Sequence, residues 1–451
     1  VGFVRDGQLH FNWTYDQNVH FHDTIAELAQ RVQTALQTLI HHCLLPDVGS
    51  YTPSDFPLAK LEQPQLDRLT TTVTQTTGRQ VKAQIEDIYP LSPMQQGMLF
   101  HTLYDPPSSL YFEQTSLTLS GDLHRDAFRQ SWQQVIQQHP ILRTAFIWEG
   151  VAEPVQVVKR AVALPLVEAD WQNLSPEEQS DRLSTYLEAD RQRGFDVAAA
   201  PLMRLTLIQT AAHTHEFIWS FHHLLLDGWS GPLLLKELFG RYEALRQGQE
   251  RPLTNSRAYR DYIAWLQKQD QDEAAVFWQK SLAGIQGPTP FNVDHSSQEV
   301  AHPEGSPASN SKTSKAYQKQ VIQLSAAETA ALQQQARRHQ LTLNTLIQGA
   351  WAILLHRYSQ ETDVLFGATV SGRPADLDGV ETMMGLFINT LPVRAKVEGE
   401  MTAAAWLQAL QAQQIEARRY EYSSLSQIQA WSDVPGDLPL FESLLVVENY
   451  P

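Results

Sequence analysis

The residues best suited to chemistry lie together in the segment His222-His223-Leu-Leu-Leu-Asp227-Gly228-Trp-Ser230. A neutral imidazole has a pKa of about 6.5, so a histidine can accept a proton near neutral pH. The segment follows a strand pattern and precedes a helix pattern, and such junctions hold side chains rigidly at a surface. The pattern is compatible with an acid–base site here. Taken alone, it favours the alternative, a packed histidine pair at a strand end.

The two histidines cannot face the same way if both belong to the strand, because successive strand residues point to opposite faces. If His223 faces a cleft, His222 must face the body of the protein. Phe217, Trp219 and Phe221 share the parity of His223, so the face assigned to His223 is not purely polar. Strand alternation alone therefore leaves a parity conflict at this pair.

The sequence allows more than one role for Asp227 and a permissive role for Gly228. Asp227 can orient an imidazole as in a catalytic triad, or it can pair with a buried arginine and hold the turn, and we favour the second role. Gly228 allows a backbone or a ligand to approach closely.

Other kinds of site are not indicated. Gly228 and Gly231 do not form a nucleophile elbow, because the second glycine is one position too close. No glycine-rich phosphate loop is present, so nucleotide binding is not predicted. We expect no metal site, because the remaining histidines lack the spacing of zinc ligands. We interpret six of them as solvated surface: His20, His22, His41, His42, His213 and His215.

Composition narrows the class of protein. The chain has 451 residues, a formal net charge of −16 and a single cysteine. The negative charge argues against nucleic acid as the main partner, and one cysteine allows no internal disulfide, so a reducing compartment is expected. The sequence has neither a signal peptide nor an 18-residue apolar run. We therefore predict a cytoplasmic α/β protein of two or three compact units with no membrane partner.

Hydrophobic periodicity predicts the elements that position the histidine segment. Strands are expected at 9–15, 111–119, 216–222, 363–370, 387–397 and 442–449. Helices are expected from Thr24 to Ile40 and over 126–138, 233–245, 326–338, 343–357 and 403–419.

Five further segments, in order, resemble the core motifs of nonribosomal peptide synthetase condensation domains, and His222–Ser230 matches the HHxxxDGxS motif of that family. The first two run from Tyr89 to His101 and from His139 to Phe146, and Tyr259–Trp265 follows the histidine motif. The last two run from Met384 to Arg394 and from Pro439 to Pro451. From the first segment to the last, they span about 360 residues of the chain.

The resemblance implies two chloramphenicol-acetyltransferase-like lobes in a V, with a central tunnel and His223 at its middle. The 4'-phosphopantetheine arms of upstream and downstream peptidyl carrier domains would bring in the donor thioester and the acceptor amine, and the chain itself would bind no cofactor. His222, His223, Asp227 and Gly228 are the implied catalytic residues. Arg143 would pair with Asp227, and Asn389 would lie near the tunnel.

The resemblance also implies a domain order. Residues 1–45 resemble the closing strand and helix of an epimerization domain, and 46–84 resemble the linker that follows one. An N-lobe over 85–285, an inter-lobe linker over 286–316 and a C-lobe over 317–451, truncated at its C-terminus, would complete the chain. A condensation domain placed after epimerization accepts a D-terminal donor, and its neighbours include adenylation and epimerization domains.

Two other functions are compatible with the fold. One is a carrier-binding recruitment domain without catalysis, and His223 with Asp227 argue against it. The other is a free-standing acyltransferase that uses a soluble thioester. Residues 1–84, which resemble the end of an epimerization domain and its linker, argue against it because they imply a multidomain protein.

Overall fold

We describe a computed structural model of the chain, covering residues 2–5, 8–44, 51–77, 84–104, 110–249, 256–291 and 319–448. The chain divides into two compact units, Val1–Asp87 and Ile88–Pro451. Within the described ranges, no helix is long and apolar enough to span a bilayer.

The first unit begins with an antiparallel hairpin of β1 (Gly2–Arg5) and β2 (Gln8–Phe11). Helix α1 (His22–Leu44) follows, and the predicted strand and helix are thus confirmed, with the strand shorter than expected. The apolar stripe of α1 is uncovered, since Leu28, Leu39 and Ile40 are exposed.

Residues 51–77 have more structure than a linker pattern predicts. A 3₁₀ helix at Pro53–Asp55 precedes α2 (Gln63–Thr77). Leu66, Leu69 and Val73 recur at helical spacing and are buried, and this burial stabilises a helix whose many threonines have weak helix propensity. Parts of the predicted 46–84 segment lie outside the described residues.

The described residues between 85 and 291 form two sheets and six α-helices. One sheet has the order β4-β9-β8-β7, antiparallel except for the parallel pair β7 and β8, and the other has the order β3-β6-β5. The strands are β3 (Ile85–Pro90), β4 (Phe112–Ser120), β5 (Thr144–Ile147), β6 (Val155–Lys159), β7 (Leu166–Asp170), β8 (Met203–Ala211) and β9 (Thr214–His222). The helices are α3 (Pro93–Tyr104), α4 (Arg125–Gln138), α5 (Pro176–Arg193), α6 (Ser230–Arg246), α7 (Tyr259–Leu266) and α8 (Gln271–Leu282).

Strand β9 is central in its sheet, and one of its faces packs on α4. The ring centroids of Phe217 and Phe128 are 5.2 Å apart, and those of Trp219 and Trp132 are 5.8 Å apart. The same face corrects one expectation. His215, interpreted as solvated surface, is only 3% exposed because it lies on the face of β9 that carries Phe217 and Trp219 and packs on α4, whereas the other five histidines of that group are exposed.

The C-terminal half holds a three-stranded sheet of order β11-β10-β12, in which β10 is antiparallel to β11 and parallel to β12. Its elements are α9 (Ala326–Arg338), α10 (Leu343–Ser359), β10 (Asp363–Val370), β11 (Asn389–Lys396), α11 (Ala403–Ala417), α12 (Leu425–Trp431) and β12 (Leu444–Leu445). The predicted strand over 442–449 is thus reduced to two residues, and its last position lies outside the described ranges. Residues 292–318, most of the predicted inter-lobe linker, lie outside them too.

Candidate active site

The parity conflict at the histidine pair disappears because β9 ends at His222. His223 is the first residue of the following turn, so it no longer obeys the alternation that packs Phe217, Trp219 and Phe221 into the body. His222 is 5% exposed, whereas His223 is half-buried. The expectation that His222 faces inward is confirmed.

The buried ring of His222 is held by two contacts. Its Nδ1 accepts a hydrogen bond from the backbone N–H of Leu224 at 3.2 Å, so Nε2 carries the proton, and it faces Thr102 Oγ1 at 3.4 Å. The Thr102 hydroxyl in turn donates to the carbonyl of Met98. Burial, aided by neighbouring His223, lowers the pKa of His222 to about 4. His222 was predicted among the catalytic residues, but a neutral, enclosed ring suits a role in holding the turn.

His223 is fixed through its backbone, and its side chain is partly open. Its N–H donates to the carbonyl of Tyr111 at 2.9 Å. Within the ring, Nδ1 is enclosed and has no hydrogen-bond partner among the described residues. Since the residue is half-buried and Nε2 makes no hydrogen bond to that part of the chain, we take Nε2 as the nitrogen available for proton transfer.

The turn after His223 is anchored by a buried glutamine. Gln95 Nε2 donates to the carbonyl of Leu224 at 3.0 Å, and Gln95 and Gln156 exchange hydrogen bonds at 3.1 and 2.9 Å. Gln95 lies in the Tyr89–His101 segment, but its role was missed from the sequence. The available signal was the capping-box spacing of Ser92 and Gln95, whose Oε1 accepts from Ser92 N at 2.9 Å.

The carboxylate of Asp227 is fully buried and saturated with hydrogen bonds. Oδ1 accepts from Ser230 N at 2.8 Å and from Ser230 Oγ at 2.7 Å, while Oδ2 accepts from Phe387 N at 3.1 Å. Its ion pair is with Arg373, at 3.3 Å. Asp227 therefore ties the histidine turn to residues from the C-terminal half of the unit.

The predicted pairing of Asp227 with Arg143 is wrong. Arg143 ends a 3₁₀ helix at Pro140–Arg143 that directly follows α4. Its guanidinium donates to the carbonyls of Ile136 at 3.0 Å and Gln137 at 3.1 Å, and also to that of Lys159. The last carbonyls of a helix have no partner within the helix, and an arginine nearby satisfies them. Arg143 thus supports the end of α4 and not the carboxylate of Asp227.

Arg373, the true partner, was missed from the sequence. Its Cζ lies 4.0 Å from the centroid of the Phe387 ring, and Nη1 donates to the carbonyl of Met383 at 3.0 Å. Burial lowers its pKa, although the nearby Asp227 carboxylate opposes that effect. Gly372 precedes it with φ +60°, and a Cβ there would lie 1.7 Å from Phe387 O, so only glycine fits.

Two glycines lie where the turn after His223 meets residues 385–387, and their surroundings differ. Gly228, predicted as a catalytic residue, is partly exposed in the turn between Asp227 and α6. Gly385 is required by packing, because a Cβ on it would lie 2.1 Å from the ring of Tyr259. The Tyr259 hydroxyl donates to Leu386 O at 2.5 Å. The segment 385–387 is therefore clamped between Tyr259 and the Asp227 network.

Asn389 was predicted to lie near a tunnel, and its side-chain amide makes hydrogen bonds within the fold. Its Nδ2 donates to the carbonyls of Glu421 and Ser423, both at 2.7 Å, and its Oδ1 accepts from Thr390 N at 2.9 Å. The residue is 5% exposed. Asn389 thus holds the loop 421–423 against the start of β11.

We expect Glu421→Gln to stabilise the protein at pH 8 and to have little effect at pH 5. Burial raises the pKa of Glu421 to about 7 from an ordinary value of 4.5. A raised pKa means that the folded protein binds this proton more tightly than the unfolded chain does. The resulting stabilisation of the fold is fully present below the unfolded-state pKa and is lost as pH rises through about 7. Because the side chain is partly exposed, we discount the effect of burial. Removing the charge should then raise the free energy of unfolding by about 1–2 kcal/mol at pH 8.

Urea unfolding of wild type and Glu421→Gln at both pH values measures this difference. Glu416→Gln, an exposed glutamate on α11, is the matched control and should change the free energy of unfolding by less than about 0.5 kcal/mol at either pH. Equal effects of Glu421→Gln at the two pH values would contradict the prediction.

One surface cleft lies away from these residues. It has a volume of about 590 Å³ and lies between α8, β11 and α11, with Phe277, Met401 and Trp406 among its lining residues. None of the six predicted site residues lines it. Within the described ranges, no group of three metal-ligating side chains is placed to hold a metal ion.

Taken together, the contacts produce one exposed imidazole edge on a turn that is fixed from both sides. A neutral imidazole at such a position can accept a proton from an attacking nucleophile and return it to a leaving group. The arrangement suits acyl transfer, with Asp227 as a buried support and not as the partner of the imidazole.

Comparison with known proteins agrees with this chemistry. The family model of the condensation domain matches residues 85–451. The chain is 47% identical over 448 residues to a linear gramicidin synthase protein of Brevibacillus parabrevis, covering 99% of the chain and 8% of that protein. It is 36% identical over 448 residues to bacitracin synthase 1 of Bacillus licheniformis, covering 99% of the chain and 8% of that protein. The chain thus spans less than a tenth of either relative.

A solved structure shows the shared fold. The starter condensation domain of rhizomide synthetase, in complex with C8-CoA and Leu-SNAC, matches with a TM-score of 0.63 and 18% identity, covering 84% of this chain and 80% of that chain. The mixed sheets and covering helices described above are those of the α/β, chloramphenicol-acetyltransferase-like fold. The chain belongs to the condensation-domain family of nonribosomal peptide synthetases, whose members are acyltransferases that form peptide bonds.

Proposed function

We propose that this chain joins a donor acyl group, held as a thioester on one carrier domain, to the α-amine of an aminoacyl group held on another. The amine nitrogen attacks the thioester carbonyl, the C–S bond breaks, and the carrier thiol leaves. His223 Nε2 takes the proton that the amine loses and returns it to the departing sulfur. The supporting observation is the half-buried ring of His223 on a turn fixed by Tyr111, Gln95 and Asp227.

We place this reaction in a tunnel between two lobes, an N-lobe over 85–285 and a C-lobe over 317–451, joined through 286–316. The contacts of Asp227 and Ser230 with Arg373, Gly385 and Phe387 support a meeting of the two halves beside the histidine turn. Both substrates would arrive on 4'-phosphopantetheine, and the small, partly exposed Gly228 would leave room for one of these arms.

The donor is proposed to end in a D-residue. The Tyr89–His101 segment resembles that of condensation domains that follow epimerization, and the relatives match this chain over 99% of its length, including the residues before 85. We expect a single-turnover assay, with the chain in its multidomain protein and both carriers loaded, to transfer a D-terminal donor at least about tenfold faster than its L-epimer, a free-energy difference of about 1.4 kcal/mol.

The two epimers are matched controls for each other, since they differ only at one stereocentre. Equal rates would contradict the D-specificity but not amide formation. Transfer of neither donor would contradict the proposed function itself.

Residues 1–45 are proposed to be the closing strand and helix of a preceding epimerization or condensation-like domain. The exposed stripe of α1, with Leu28, Leu39 and Ile40 uncovered, supports this, because a large apolar face of this kind usually has a partner. We expect amide hydrogen exchange over 22–44 to be slower in the multidomain protein than in the 451-residue chain. Identical exchange in the two would contradict this assignment.

A further inference from the structure

The hydroxyl of Ser230 occupies the centre of the contact between the histidine turn and the segment 385–387. Ser230 is the first residue of α6 and has no exposed surface. Its Oγ lies 2.7 Å from Asp227 Oδ1, 3.0 Å from Arg373 Nη2, 2.9 Å from Gly385 O and 3.2 Å from Gly385 N.

The hydrogen-bonding capacity of this hydroxyl is fully used. A serine hydroxyl has one proton and two acceptor lone pairs. Arg373 and the N–H of Gly385 can only donate, so they take the two lone pairs. The proton then goes to Asp227 Oδ1 or to the carbonyl of Gly385. That carbonyl also accepts from Asp227 N at 3.0 Å, so the two segments are joined by both backbone and side chain.

This junction lies at the far end of the turn that begins with His223. At the near end, Tyr111 and Gln95 hold the backbone of residues 223 and 224. At the far end, Asp227 and Ser230 hold it to Gly385, Phe387 and Arg373. Without the hydroxyl, the buried N–H of Gly385 and the Arg373 guanidinium each lose an acceptor, and the far end of the turn is held by the contacts of Asp227 alone.

We infer that Ser230 is a positioning residue for the condensation reaction, whose hydroxyl couples the orientation of the His223 ring to the 385–387 segment. This inference rests on the proposed function. Displacement of a reacting group by about 1 Å can cost on the order of 10²-fold in rate, so loss of the hydroxyl should lower the rate without changing the residues that contact substrate.

The test compares Ser230→Thr with Ser230→Val in the multidomain protein. Both add the same methyl volume to a fully buried site, and only threonine keeps the hydroxyl. We expect the threonine variant to be faster by about 10- to 100-fold, the range set by one hydrogen bond to a charged group. The difference should appear in kcat, with the KM for the aminoacyl acceptor nearly unchanged. Ser230→Ala, which adds no volume, should lose rate as the valine variant does.

Ser175→Val provides the structural control, because the Ser175 hydroxyl caps α5 outside this site. It should lower the melting temperature and leave kcat unchanged. Folded Thr and Val variants with equal kcat would overturn the inference while leaving the proposed function intact. Absence of transfer by the wild type would overturn the proposed function, and this inference with it.

Discussion

His223→Ala is expected to lower the single-turnover rate of amide formation by about 10²- to 10⁴-fold, the range that general acid–base catalysis supplies. The fold should be retained, because the ring is half-buried and its Nδ1 has no hydrogen-bond partner to lose. The measurement is a quench-flow assay with loaded donor and acceptor carriers, together with thermal unfolding of the same sample.

His213→Ala is the matched control for His223→Ala. Its ring is 71% exposed and contacts Asp122 at the surface, so its removal should change neither rate nor melting temperature. A His223→Ala variant within threefold of the wild-type rate would show that this imidazole does not take part in proton transfer. The acid–base mechanism would then be rejected even if binding of the carriers persisted.

Asp227→Ala is expected to destabilise the protein by about 3–5 kcal/mol, because it leaves the Arg373 guanidinium buried without its counter-charge. Arg373 is 4% exposed and Asp227 is 0% exposed, so solvent cannot replace the lost partner. The variant also removes acceptors for Ser230 N and Phe387 N. Urea unfolding at pH 7 measures the loss, and the rate of transfer should fall as well.

A double-mutant cycle identifies the partner of Asp227. Asp227→Ala combined with Arg373→Met should cost clearly less than the sum of the two single changes, because neither charge is then left unpaired. The combination of Asp227→Ala with Arg143→Met should be additive. Asp363→Ala, which breaks the more exposed pair with Arg394, should cost about 1 kcal/mol or less. Coupling of Asp227 to Arg143 instead would contradict the ion pair described above.

Local pattern was enough to predict most of the elements around the site. The alternation over 216–222 and the apolar spacing after Leu233 predicted β9 and α6, because both elements bury one face against the same core. Residues 51–77 were harder to predict, since α2 depends on burial of a few leucines more than on helix propensity.

The motif by itself predicted the site: an imidazole at a strand end, followed four positions later by a carboxylate. Only the tertiary structure decided which arginine that carboxylate meets. Arg143 lies in a recognisable motif, yet Arg373, 146 positions from Asp227, makes the ion pair. Sequence spacing records neighbours along a strand or helix, whereas a buried charge pairs with whichever opposite charge the packing of distant segments brings within reach.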